Sequence, residues 1–107
     1  MAEKKKVRVP IIRMEQLEDA IYDMTIEEKE MAAVAKAGQF LSLYLDDESR
    51  LLPRPISICG IDKEAGTIRM VFRIAGEGTR QISCLKAGDT IEVLGPLGNG
   101  FFDTEEE

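Results

Sequence analysis

The sequence predicts an all-β fold, a six-stranded antiparallel Greek-key barrel with one or two short helices. Apolar residues recur with period two in six short runs, the mark of strands with one buried face. The runs are separated by turn signals at 46–49, 62–66 and 87–89 rather than by helical crossovers, which disfavours a parallel α/β sheet. At 107 residues with 44% hydrophobic content, the chain can build one core and one ordinary domain.

The elements follow in chain order. Val7, Val9 and Ile11 mark the first strand, and Ala20, Tyr22, Met24 and Ile26 the second. Glu28, Met31, Ala32 and Ala35 then fall at helical spacing before Gly38, which predicts a short helix over 28–37 plugging one end of the barrel. Leu41, Leu43 and Leu45 mark the third strand and Ile56 and Ile58 the fourth. In the fifth, Ile68, Met70, Phe72 and Ile74 alternate with Thr67, Arg69, Val71 and Arg73, giving one buried face and one face open to something polar. A second short helix is expected over 79–86, where Ile82 and Leu85 stand three apart and Gly78 and Thr79 lie at the capping position. Ile91 and Val93 mark the sixth strand, and the stretch from Gly95 to Gly100 reads as a rigid exit from the domain. The barrel is assigned to residues 1–101 and an acidic tail to 102–107.

Composition narrows the chemistry. There is no His, which excludes mechanisms using imidazole as base, proton shuttle or metal ligand. The net charge of -6 argues against nucleic acid or an anionic membrane held by bulk charge. That charge is uneven: residues 1–49 carry -4, residues 50–101 carry +2 and residues 102–107 carry -4, leaving a positive middle suited to a small anion. Cys59 and Cys84 are too few for an iron-sulfur or zinc-ribbon pattern and read as reduced, structural thiols. The basic start is broken by charges and Pro10 and is no signal peptide, and no apolar run approaches bilayer length, so a soluble cytoplasmic chain is expected.

Three motifs merit weighing. Gly76-Glu77-Gly78-Thr79 follows the fifth strand, where glycines let backbone approach an anion and a helix start supplies free N–H groups; Gln81 excludes the dinucleotide G-x-G-x-x-G pattern. Gly95-Pro96-Leu97-Gly98-Asn99-Gly100 has P-loop glycine spacing, but Phe101 and Phe102 replace the required Lys and Ser/Thr. In Arg54-Pro55-Ile56-Ser57, Pro55 stiffens the start of a strand expected at a sheet edge. Arg54 there can grip phosphate, and Ser57 can hydrogen-bond a ring nitrogen or carbonyl. Each motif alone is compatible with plain turns and surface residues. Arg54, Arg73 and the Gly78-Thr79 amides would converge on one anionic ligand if a hairpin through Gly66 makes their strands neighbours.

Taken together and in this order, the motifs resemble the electron-transfer subunit of bacterial dihydroorotate dehydrogenase, within the ferredoxin-NADP reductase-like superfamily. The resemblance is carried by Ala37-Gly38-Gln39-Phe40, by Leu51 to Ile58, by Phe72 to Thr79 and by Leu94 to Phe101. It implies an FAD-binding barrel in which Arg54, Pro55, Ile56 and Ser57 lie along the flavin, Arg54 toward the phosphates and Ser57 toward the redox-active edge. Val71, Phe72 and Arg73 would flank the flavin by their backbone, and Gly78 and Thr79 would hold the pyrophosphate. Ile56 stands where the wider superfamily usually has a stacking aromatic. No catalytic side chain and no metal ligand are implied, because the cofactor supplies the chemistry. In the full-length family the implied traffic is hydride between NAD and FAD, then single electrons to a [2Fe-2S] cluster and a dihydroorotate dehydrogenase catalytic subunit in pyrimidine biosynthesis. A nicotinamide-binding domain would begin near 102–107, so the chain is expected to be an isolated FAD domain, inactive alone, with an exposed domain interface that favours self-association. The alternatives are the flavin domain of a related NADH:ferredoxin or sulfide oxidoreductase, and a non-catalytic interaction barrel.

Overall fold

The computed structural model describes residues 5–45 and 53–98. Six strands, β1 (Lys5–Glu18), β2 (Ile21–Glu27), β3 (Phe40–Tyr44), β4 (Arg54–Asp62), β5 (Thr67–Arg73) and β6 (Thr90–Leu97), close into a barrel in the order β1-β2-β5-β4-β3-β6. All ladders are antiparallel, as the turn spacing predicts. Two short helices, α1 (Lys29–Val34) and α2 (Glu77–Ser83), interrupt the strands.

Period-two alternation produces the core directly. Val9, Ile11, Met24, Ile26, Leu41, Leu43, Ile58, Ile68, Met70, Ile91 and Val93 are all buried inside the barrel. Burying an aliphatic side chain of this size contributes about 1.5–3 kcal/mol, so eleven such residues supply the main driving force for closure. β1 serves two ladders: Lys5 to Pro10 pair with β6, and Ile11 to Glu18 pair with β2, with a register shift between Ile11 and Arg13. That bulge turns the strand around the barrel wall. α1 is capped by Glu28, whose carboxylate accepts the Glu30 N–H at 3.2 Å, and it buries Met31 and Ala32.

Several local expectations need correction. α1 ends at Val34 rather than Ala37, because Ala35 is already extended at φ -73°, ψ 155°. α2 starts at Glu77 with Gly76 as its cap, so Gly78 and Thr79 lie inside the helix, which stops at Ser83 rather than Lys86. Gly95 and Pro96 fall within β6, not after it. The sheet edge expected at Pro55 is found locally: the barrel is closed, but Arg54 to Ser57 have β3 as their one ladder partner. Cys59 and Cys84 are free thiols as expected, but both are exposed rather than structural. The turn at 46–49, Leu51-Leu52, Asn99 to Phe101 and the tail 102–107 lie outside the described residues.

Candidate functional site

The site forms where β4 and β5 part company. At one end these strands are joined by a tight hairpin: Asp62 Oδ1 accepts the Ala65 N–H at 3.0 Å, and the Asp62 carbonyl accepts the Gly66 N–H at 2.8 Å. Gly66 has φ +73°, and a Cβ there would stand 2.4 Å from Lys29 Cγ, so glycine answers both the turn and the close approach of α1. From the hairpin the ladder runs Asp62↔Thr67, Ile61↔Ile68, Gly60↔Arg69 and, past a bulge at Cys59, Ile58↔Met70. There it ends. Residues Arg54 to Ser57 pair only with β3, and Val71 to Arg73 pair only with β2. A seam therefore opens between Arg54–Ser57 on one side and Val71–Arg73 on the other, with backbone edges facing each other unladdered.

α2 follows β5 after a three-residue link and lies against the seam. A Cβ on Gly78 would stand 2.7 Å from Arg54 Nε and 3.2 Å from its Cγ, so the guanidinium stem rests on the bare Gly78 backbone. Arg54 Nε is buried with no hydrogen-bond partner, alone in this among the described residues. Leaving such a donor unmatched costs about 1–3 kcal/mol. The first amides of any helix also lack intrahelical acceptors, and α2 has no side-chain cap to take them. A stranded cationic donor beside free amides, in a cradle that a Cβ would fill, fits an anionic group such as a pyrophosphate.

The remaining expected residues divide between the two strand faces. Pro55 and Ser57 are exposed on the outer face of β4, as is Arg73 on β5, whereas Arg54 shares its parity with the inward Ile56 and Ile58. The hairpin through Gly66 does make β4 and β5 neighbours, and it brings Arg54 to Gly78; Arg73 lies on the other face. Val71 is half-buried, and Phe72 is buried and stacked on Tyr22 at 5.9 Å. Ile56 is only 7% exposed and belongs to the core, so it offers little surface to a planar ring. Thr79, also 7% exposed, accepts the Ala75 N–H at 2.7 Å and donates to the Gly76 carbonyl at 3.3 Å. Its hydroxyl shapes the loop that presents Gly78.

Sequence reading gave no role to two further contributors. On the outer wall Asp23, with a side chain 3% exposed, accepts Arg69 Nε at 3.0 and 2.9 Å and Arg69 Nη2 at 2.9 Å. The hydrogen bond and charge of Asp23 raise the Arg69 pKa above the usual guanidinium value, so Arg69 stays charged across neutral pH. The signal was an acid inside a strand opposite a cation-bearing strand. The other contributor is Gln39, whose side chain donates to the Gly98 carbonyl at 2.9 Å. Among the described residues, no group of three or more His, Cys, Asp or Glu could hold a metal, and no helix is long and apolar enough to cross a membrane.

The model of the oxidoreductase FAD-binding domain family matches residues 11–102. The dihydroorotate dehydrogenase B (NAD(+)) electron transfer subunit of Streptococcus pneumoniae is 44% identical over 91 residues, covering 85% of this chain and 35% of that protein. Its counterpart in Listeria monocytogenes is 43% identical over 96 residues, covering 90% and 37%. The chain thus spans little more than a third of the relatives it matches. Among solved structures, an NADH-dependent reduced ferredoxin-NADP oxidoreductase superposes with a TM-score of 0.79 at 30% identity, covering 87% of this chain and 33% of that one. A ferredoxin NADP+ reductase from Neisseria gonorrhoeae with bound FAD and NADP superposes at 0.74 and 23% identity, over 96% and 42%, which speaks for the fold.

Proposed function

The chain belongs to the oxidoreductase FAD-binding domain family, and on that premise we propose that it is the flavin-binding part of an electron-transfer subunit serving a dihydroorotate dehydrogenase. The observation that carries the reading is Arg54 Nε, buried without a partner against Gly78 at the mouth of the β4–β5 seam. Arg54 and the first amides of α2, Gly78 and Thr79 among them, would take the FAD pyrophosphate, by bidentate charge-assisted contacts that a Lys could not reproduce. The unladdered backbones of Arg54–Ser57 and Val71–Arg73 would line the rest of the cofactor, with Ser57 as a hydroxyl within the seam.

When bound, FAD supplies the chemistry, accepting or releasing hydride and single electrons. The protein residues bind it, orient it and exclude water; no side-chain acid or base is required, which agrees with a chain that has no His. In the whole protein, NAD, a [2Fe-2S] cluster and the dihydroorotate dehydrogenase catalytic subunit would be the exchange partners, in the cytoplasm. Identity of 44% to the dihydroorotate-type subunits against 30% to the ferredoxin-NADP oxidoreductase favours this assignment over the related reductase. Membership of a flavin family weighs against a barrel used only for protein contacts.

Titrating the chain with FAD and following flavin fluorescence tests the reading. Saturable 1:1 binding in the micromolar range is expected, and no binding at high micromolar FAD would overturn it.

A further inference from the structure

We propose that Gln39 is a positioning residue for the flavin-facing stretch of β4, holding it in register with the turn that follows β6; this rests on the flavin-domain reading. Arg54 to Ser57 have β3 as their one ladder neighbour, and the last of these pairs is Phe40↔Ser57. Immediately beyond, where β4 changes partner, the Ile58 N–H donates to the Gln39 main-chain carbonyl at 2.8 Å. The side chain of the same residue reaches two other segments. Its oxygen accepts the Lys36 N–H at 2.8 Å, and its nitrogen donates to the Gly98 carbonyl at 2.9 Å. The Gln39 N–H completes the set by donating to the Lys36 carbonyl at 3.1 Å.

One residue therefore joins the turn after α1, the point where β4 leaves β3 for β5, and the turn after β6. The residue type follows from the geometry. Gln carries an acceptor and two donors on one side-chain amide, whereas a carboxylate has no donor at neutral pH and an aliphatic chain has neither. The turn at Gly98 also lies directly on this segment: a Cβ on Gly98 would stand 3.2 Å from the Phe40 ring. A displacement of that turn is thus carried to Ser57 through Gln39 and Phe40. The Ala37-Gly38-Gln39-Phe40 motif and the Gly95 to Gly98 motif, separate in sequence, act as one support under the seam.

The test uses the 107-residue chain with Gln39→Met, which keeps the length and removes both side-chain hydrogen bonds, and Gln39→Glu, which keeps the bond from Lys36 alone. Asp62→Ala is the control, since it removes a comparable side-chain bond at the closed hairpin. Four readouts are taken: FAD dissociation constant, visible circular dichroism of bound flavin, melting temperature without flavin, and amide hydrogen exchange across 54–58. Gln39→Met is expected to weaken FAD about tenfold, change the flavin dichroism and speed exchange at Ile58 about tenfold, with Gln39→Glu intermediate. Asp62→Ala should lower the melting temperature similarly and leave FAD affinity within about twofold. Equal changes in FAD affinity for Gln39→Met and Asp62→Ala at matched loss of melting temperature, or unchanged exchange at Ile58, would overturn the proposal. If Gln39→Met does not fold, Gln39→Glu carries the same comparison. If the unsubstituted chain binds no FAD, the flavin reading fails separately, and exchange at Ile58 still decides the role of Gln39 as a support of β4.

Discussion

The two ends of the β4–β5 pair are built from the same strands and do opposite things. At the hairpin end, Ile61↔Ile68 and Asp62↔Thr67 are zipped, the turn is closed by Asp62 and Gly66, and Glu28 at the cap of α1 donates its N–H to the Gly66 carbonyl. At the other end the ladder stops after Ile58↔Met70, and what faces the gap is a cation with an unmatched donor and the start of α2. Satisfied groups are concentrated at the closed end, and the unmatched donor lies at the open end, where the proposed site is. The switch between the two is local, a single bulge at Cys59.

Substitutions at each end separate these roles. Met70 is fully buried at the last rung of the closed ladder, so Met70→Ala should cost about 2–5 kcal/mol of unfolding free energy in urea titrations, with FAD affinity of the folded fraction little changed. A large loss of FAD affinity in the remaining folded protein would show that the two ends are not separable. Arg54→Met should run the other way. FAD binding weakens by about 10- to 100-fold, while the FAD-free chain becomes equally or more stable, by up to about 1–3 kcal/mol, because the unmatched Nε is removed. Equal destabilisation by Arg54→Met and Met70→Ala in the absence of flavin would break the comparison. Gly78→Ala is the finest probe. Its helix propensity gains up to about 1 kcal/mol, offset by a Cβ 2.7 Å from Arg54 Nε, so the melting point should barely move while FAD affinity falls about tenfold.

What sequence reading could see and could not see follows the same division. The zipped regions are legible because their cause is local: alternation at Ile68, Met70 and Phe72 and the turn at Gly66 state their own conformation. All six strands and both helices were expected from such signals, as was the neighbouring of β4 and β5. Non-local features were less accessible. That Thr79 hydrogen-bonds its own loop and that Arg54 and Arg73 lie on different faces depend on where the ladder ends, and a bulge leaves no periodic trace. Likewise Gly95-Pro96 reads as a strand terminator in sequence, yet β6 continues to Leu97 because β1 and β3 hold it from both sides. Asp23 and Gln39 are 46 and 59 residues from the partners that explain them.

Pro55 acquires a different meaning from the seam. A closed barrel offers no template for another chain to add a strand, but Arg54–Ser57 and Val71–Arg73 restore two short stretches of unladdered backbone to its wall. Before a cofactor covers them, these are the natural points of entry for intermolecular β-pairing. Pro55 sits in the middle of one such stretch and has no N–H to offer an incoming strand, so it interrupts the donor pattern on which cross-β growth depends. The residue that stiffens the candidate binding strand thus doubles as a gatekeeper against aggregation of the cofactor-free protein.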